Sequence, residues 1–255
     1  MSWQNTLGLL LPPLLGGVLV LASHVPLGMR VLRRGIVFLD LAIAQIAALG
    51  VILAGLAGLE SPLAVQLAAA LAAVLGALLL AWMERRWPEV QEAQIGVVFV
   101  LAASACLLLL ARHPHGDEQL RNLLAGQILW LDYAQLCLPA LLSAGLLLVL
   151  WRVRPLPPLL FYLIFALAVT VSVQLVGVYL VFASLILPAL ATRHYQGLRR
   201  LCLAYLTGLG GYVSGLLLSL WWDLPAGALI VWCCTCLGLL LFALGPARRA
   251  HLSPA

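Results

Sequence analysis

Residues 159–190 read LLFYLIFALAVTVSVQLVGVYLVFASLILPAL and contain no Asp, Glu, Lys or Arg. About 20 helical residues cross the hydrocarbon core of a bilayer, which is about 30 Å thick. This stretch is too long for one span and rather short for two, and Gln174 and Gly177 interrupt it. We therefore predict two half-length helices, Leu159–Val173 and Val176–Leu190, that meet at a turn. Interrupted helices are where membrane transporters often place function.

The rest of the chain is equally apolar. Of its 255 residues, 64% are hydrophobic and 9% are charged, whereas about 25% are charged in a soluble domain. This composition excludes a soluble protein and predicts one all-α domain, residues 1–255, embedded in membrane lipid. The fold class is a polytopic helical bundle of eight to nine membrane segments, one of them broken. The other predicted spans are Leu7–Leu27, Ile36–Ala57, Leu63–Met83, Gln94–Ala111, Ala134–Trp151, Leu201–Leu220 and Ala226–Leu244.

Arginines predict the orientation. All fourteen basic residues are arginine, and basic residues collect in cytoplasmic loops. With an outer N-terminus and nine segments, the outer loops hold only Arg112 and Arg121, and the C-terminus is cytoplasmic. The net charge of +5 then reflects orientation and predicts no nucleic-acid partner. The inner loops hold the other twelve: Arg30, Arg33, Arg34, Arg85, Arg86, Arg152, Arg154, Arg193, Arg199, Arg200, Arg248 and Arg249.

Three polar side chains within the predicted spans are candidate metal ligands. A charged group at the centre of a membrane helix costs about 2.5–3.5 kcal/mol on insertion scales, so each needs an explanation. Asp40 could be an oxygen ligand on a cation path, or it could pair with Arg33 or Arg34. Gln45 could offer a carbonyl oxygen to an ion or form a helix-packing hydrogen bond. His24 could be a metal ligand or could hydrogen-bond locally.

Two other clusters contain metal-binding residue types. His113, His115 and Asp117 lie in a predicted outer loop and could form a metal entry point, although a solvated loop explains them as well. Residues 232–236, WCCTC, lie in a predicted span, where adjacent cysteines point about 100° apart and favour packing over metal binding. No P-loop, nucleophile elbow or zinc-protease motif is present. We expect no energy-converting site in the chain and no permanently bound cofactor.

The C-terminal third contains the most specific motifs. VGVYLV (176–181) leads into LILPALATR (185–193), and WDLPAGALIV (222–231) follows the next span. Nearer the N-terminus, PLG (26–28) precedes the Arg33–Arg34 pair and Asp40. Over nearly its whole length the chain resembles the permease subunit of ABC transporters that import zinc, manganese or iron.

The resemblance implies roles for particular positions. Residues 188–200 would form a cytoplasmic coupling loop, in which a short helix contacts the ATP-binding cassette subunit. Asp40 matches an aspartate that helps to bind the metal in the membrane. The positions implied in ATPase coupling are Pro188, Ala189, Ala191 and Arg193.

The chain departs from the family next to Asp40. The family has a histidine four residues after the aspartate, and Ala44 stands there. Aligned from residues 49–51, the histidine position falls on Gln45 instead. A π-bulge would absorb the extra residue and bring Asp40 and Gln45 nearer one face, whereas a regular helix sets them about 140° apart. Replacing imidazole by an amide would weaken a zinc preference.

The predicted function is therefore transport without an enzymatic site. The chain would be the permease subunit of an ABC importer for divalent metal ions in the bacterial inner membrane, with zinc favoured and manganese or iron as alternatives. Its partners would be an ATP-binding cassette subunit, an extracytoplasmic metal-binding protein and a second permease copy in a homodimer. Two other readings are a permease for a metal chelate of the cobalamin or haem type and an intramembrane protease. Ser214 lacks the Gly-x-Ser-Gly spacing of such proteases.

Overall fold

Nine α-helices make up the described part of the chain. The structure, a computed structural model, describes residues 3–59, 61–110, 124, 126, 128–153 and 155–244. Eight helices are long and apolar enough to cross a membrane, and α7 is a shorter apolar helix, which confirms the predicted fold class. The helices are α1 (Trp3–Arg34), α2 (Leu39–Leu56), α3 (Pro62–Arg86), α4 (Gln91–Leu110), α5 (Tyr133–Arg152), α6 (Pro158–Val176), α7 (Val178–Ala191), α8 (Gly197–Trp222) and α9 (Ala226–Ala243).

The break between α6 and α7 lies at Gly177. This residue has φ 83° and ψ 162°, a conformation that is essentially restricted to glycine. Gln174 is exposed and remains within α6. With 19 residues, α6 is about 28 Å long at 1.5 Å per residue, so it is a full span. The prediction of two half-length helices is thus right only for α7, which has 14 residues.

The chain reverses direction at this break. Near the start of α6, the Phe161 ring lies 4.2 Å from the Arg34 guanidinium at the end of α1. Farther back on α1, Gly28 packs against the carbonyl oxygen of Leu185 in α7. Because Gly28 and Arg34 are only about 9 Å apart along α1, α7 runs back toward the end of the bundle where α6 begins. We call this the arginine-rich end, since α1 and α3 finish there with two arginines each.

Helices α8 and α9 form a tight antiparallel pair. Gly211 lies against Cys234 and Gly215 against Ile230, and an added Cβ at either glycine would collide with the facing helix. Small residues four apart let helix backbones approach in this way. Among the eight long helices, α1, α2 and α6 are the most deeply buried, whereas α4, α5 and α9 are largely exposed on the outside of the single chain. The short helix α7 is also mostly buried.

Candidate functional site

Asp40 is a carboxylate buried near the start of α2. It is the second residue of α2 and is 0% exposed. Neither carboxylate oxygen has a hydrogen-bond partner among the described residues. The alternative of a hydrogen-bonded pair with Arg33 or Arg34 is therefore not found, and Arg34 stacks on Phe161 instead. A buried charge is very unfavourable unless it is paired or coordinates a metal, and the role of Asp40 as a metal ligand remains a prediction.

Helix α2 is regular and separates Asp40 from Gln45. It is α-helical from Leu39 to Leu56, so the predicted π-bulge is wrong. Five regular residues set Asp40 and Gln45 about 140° apart, whereas Ala44 lies within about 40° of Asp40. Asp40 and Gln45 thus point to different surroundings.

Gln45 lines a cavity of about 710 Å³ between α2, α4, α7 and α9. The other polar side chains in its wall include Tyr179 and Thr235. A second cavity of about 300 Å³ shares Leu187 and Thr235 with the first and continues to Arg193. We call the two joined cavities the groove. Because Arg193 follows the end of α7, the groove runs along α7 and α9 to the arginine-rich end.

His24 is fully buried and keeps one ring nitrogen free. Its Nδ1 lies 3.0 Å from the carbonyl oxygen of Val20 and 3.0 Å from Ser23 Oγ. A carbonyl oxygen only accepts, so Nδ1 carries the hydrogen and Nε2 keeps its lone pair. Nε2 has no partner among the described residues. Metal-ligating histidines usually donate their other ring N–H to a carbonyl or carboxylate in this way.

The three predicted ligands do not form one site. Residues 35–38 make a tight turn, in which Leu39 N donates to Ile36 O over 3.2 Å, so α2 begins near the level at which α1 ends. His24 lies ten residues, or about 15 Å, before Arg34 along α1, whereas Asp40 lies in the first turn of α2. No group of three or more His, Cys, Asp or Glu side chains that could hold a metal occurs in the described ranges. Asp40, Gln45 and His24 remain predictions as separate ligands at different depths.

The predicted coupling segment has a buried part and an exposed part. Pro188, Ala189 and Ala191 are buried in the last turns of α7. A turn at residues 192–194, without a separate helix, leads to α8. The exposed side chains of this segment, which are available to a partner, include Arg193 and Leu198. The coupling roles of all four predicted positions remain predictions.

The structure describes only one of the two other clusters of metal-binding residue types. His113, His115 and Asp117 lie outside the described residues. In the WCCTC segment, Cys234 is buried and Cys236 is exposed, as expected for cysteines that point in different directions.

The serine considered for protease chemistry forms hydrogen bonds to the backbone of its own helix. Ser214 Oγ donates to the carbonyl oxygens of Gly210 and Gly211, at 2.6 and 3.3 Å. This gives no support to a nucleophilic role.

Sequence reasoning missed a polar network at the arginine-rich end. Gln91 Nε2 donates to the Tyr162 hydroxyl over 2.6 Å, and Tyr162 also interacts with Glu84. Beside them, Phe38 N at the start of α2 donates to Glu92 Oε1 over 3.3 Å. The network joins the ends of α2, α3, α4 and α6. Its acidic and amide residues are visible in the sequence, but only the packing shows that they meet.

Comparison with known proteins identifies a family and a fold that match this chain. A family model described as the ABC 3 transport family matches residues 7–157 and 152–245. No curated protein matches the chain. Among solved structures, the chain is similar to a chain of PsaBC from Streptococcus pneumoniae in complex with a Fab. The TM-score is 0.74 at 21% identity, over 94% of this chain and 92% of that one, so the two share a fold.

Proposed function

The chain belongs to the ABC 3 transport family, and from this premise we propose that it is the membrane-spanning permease subunit of an ABC importer for a divalent metal ion. The family match confirms the resemblance to metal-importing permeases drawn from the motifs at 176–193 and 222–231. Zinc is the cargo that the sequence favours, with manganese and iron as alternatives. The proposed location is a bacterial plasma membrane with a cytoplasmic C-terminus.

The buried carboxylate of Asp40 is the main structural support for the proposal. A bare dication is very unfavourable in hydrocarbon, so its path needs polar ligands that open to one side at a time. Asp40 offers two carboxylate oxygens without a hydrogen-bond partner among the described residues, in a largely apolar interior. Gln45 and His24 offer further metal-ligating atoms at other depths in the membrane. Ligands at several depths suit a path for an ion better than a site that stores one.

A separate ATPase would drive the movement. Arg193 lies in the turn between α7 and α8, and the 74%-exposed Leu198 lies in the first turn of α8. An ATP-binding cassette subunit would push here. Nearby, Arg200 donates to Ala189 O over 3.5 Å, so a push on the start of α8 also reaches the end of α7. Because α7 forms one wall of the groove, its displacement would change access to the groove.

Two further partners complete the proposed importer. A second copy of the chain would cover the groove, so that the path lies between two permeases. An extracytoplasmic metal-binding protein would dock at the end opposite the arginine-rich end and deliver the ion.

Metal accumulation in cells tests the proposal. A strain that lacks this chain is complemented with the wild type, with Asp40→Asn or with Asp223→Asn, and cellular zinc, manganese and iron are measured. Asp40→Asn removes the buried charge at nearly constant volume and should abolish accumulation, while ATPase co-purification is retained. Asp223 is exposed at the turn after α8 and serves as the matched control. Normal accumulation with Asp40→Asn, or uptake of a metal chelate only, would contradict the proposal.

A further inference from the structure

Tyr212 is a fully buried tyrosine that joins three helices. It lies in α8, about 22 Å along the helix from the first residue, Gly197. Its ring packs directly against Gly17 of α1, where an added Cβ would collide with the ring. Its hydroxyl oxygen lies 2.9 Å from Ser184 Oγ in α7. One side chain of α8 therefore contacts both α1 and α7 inside the bundle.

The hydrogen bond between Tyr212 and Ser184 has a defined direction. Ser184 Oγ donates to the carbonyl oxygen of Leu180, in the preceding turn of α7, over 2.7 Å. Because a serine hydroxyl has only one hydrogen, the Tyr212 hydroxyl is the donor to Ser184 Oγ. Both side chains are completely buried, so separating them would leave the tyrosine hydroxyl without a partner in an apolar interior, which is unfavourable. The bond therefore resists any movement that separates α8 from the middle of α7.

Helices α7 and α8 both pack on glycines of α1. The carbonyl oxygen of Leu185, next to Ser184, lies against Gly28, and the Tyr212 ring lies against Gly17. These two glycines are on the same face of α1, because the eleven residues between them make about three turns. A glycine presents no side chain that would hold its neighbour in place, whereas the bond between α7 and α8 is directional. Close-packed interiors also transmit displacements, so α7 and α8 are expected to move over this face together.

We propose that the hydrogen bond from Tyr212 to Ser184 is a transmission link, which makes the middle of α7 follow α8 when the ATP-binding cassette subunit displaces the start of α8. The inference rests on the function proposed above. Tyr212 and Ser184 are then positioning residues, because they act on the groove through α7 and do not line it. The partly buried Arg200 contact of 3.5 Å reaches only the last turn of α7, at Ala189, whereas this link lies deeper in the bundle.

The test measures the number of ATP molecules hydrolysed per metal ion accumulated, in proteoliposomes that contain the chain, its ATPase and the metal-binding protein. Tyr212→Phe removes the donor and keeps the ring. Ser184→Ala removes the acceptor from the other helix and gives an independent measurement. Tyr205→Phe is the matched control, since Tyr205 in α8 donates to Ala22 O in α1 over 3.0 Å. This variant also loses one bond between helices, but it leaves the bond between α8 and α7 intact.

Tyr212→Phe and Ser184→Ala should each raise the number of ATP molecules hydrolysed per ion about two- to tenfold, as expected for the loss of one hydrogen bond. Combining them should give a smaller effect than the product of the two single effects, because both changes remove the same bond. The ratio for Tyr205→Phe should stay near wild type. A merely structural role would reduce the amount of folded transporter, and with it ATP hydrolysis and accumulation together, which leaves their ratio unchanged.

The outcomes separate this inference from the proposed function. A wild-type ratio with Tyr212→Phe, or the same rise with Tyr212→Phe and Tyr205→Phe, would overturn the transmission link and leave the importer intact. A wild-type complex that hydrolyses ATP and accumulates no divalent metal would overturn both.

Discussion

At the scale of single residues, Ala44 explains why Asp40 stands alone. Ala44 follows Asp40 by four residues on the same face of α2, about 6 Å farther along the helix, and it is fully buried. The resembled family has an imidazole at this position. Without this imidazole, a metal ion bound by Asp40 would find no nitrogen ligand on the same face of α2.

We expect Ala44→His to tighten zinc binding at least about tenfold, equivalent to about 1.4 kcal/mol, because it adds an imidazole one turn from Asp40. The measurement is competition for zinc between the detergent-purified chain and a chromophoric chelator. Ala47→His is the control, since Ala47 lies on nearly the same face but about 10 Å from Asp40. Equal zinc affinities of the two variants would show that Asp40 is not a ligand.

The sequence predicts the burial of single residues better than it predicts their partners and directions. The burial of Asp40 follows from its place in an apolar run. That no described arginine hydrogen-bonds to it depends on the direction of the Arg34 side chain, which points toward Phe161. The direction of Gln45 depends on whether α2 is regular. Tyr179 and Thr235 were not predicted, because hydroxyl residues are ordinary in membrane helices and only the packing of α7 against α9 places them in one cavity.

At the scale of secondary-structure elements, the break between α6 and α7 is fixed by backbone geometry. Gly177 has φ 83°, and Gly126, with φ 67°, packs directly against the neighbouring carbonyl of Val176. A Cβ on Gly126 would collide with this backbone. The position of the break is therefore fixed by the conformation of Gly177 and by the contact of Gly126 with Val176.

Gly177→Ala should destabilise the protein by about 1–3 kcal/mol, because a residue with a Cβ is strained in this conformation. Gly96→Ala is the control, since Gly96 lies within α4 with open space where a Cβ would go, and it should be neutral or slightly stabilising. Thermal unfolding in detergent measures both variants. An unchanged midpoint for Gly177→Ala would contradict the strained break.

The positions of the elements were largely predictable, but their exact ends were not. Gln174 was expected to help end the first half-helix. It instead remains in α6, because an exposed amide is compatible with a helix. Similarly, α1 continues beyond the predicted end at Leu27 to Arg34, since its final arginines reach past the hydrocarbon and still continue the helix.

At the scale of the whole molecule, the reversal at Gly177 places the ends of α1, α3 and α7 on the same side of the bundle. The prediction of nine membrane segments depended on this arrangement, because only then do most of the arginines lie on one side of the membrane. The helix partners were not predictable in the same way. In a bilayer, leucine and alanine suit both the protein interior and the lipid, so α3 and α4 show no polar face that would identify their neighbours.

Leu198→Glu should abolish co-purification of the ATP-binding cassette subunit, because a charge replaces an exposed apolar side chain at the proposed docking turn. Leu59→Glu is the control, since Leu59 is 44% exposed at the opposite end of the bundle. An intact complex with Leu198→Glu, or its loss with Leu59→Glu instead, would contradict the proposed side of attachment.

We propose that this chain conducts a divalent metal ion when a separate ATPase drives it. The most direct measurement is metal accumulation in proteoliposomes that contain the chain, its ATPase and the metal-binding protein, with and without ATP. Accumulation of a divalent metal should require ATP hydrolysis and should disappear with Asp40→Asn. Accumulation that proceeds without ATP, or no accumulation of any divalent metal by the complete and ATP-hydrolysing complex, would contradict it.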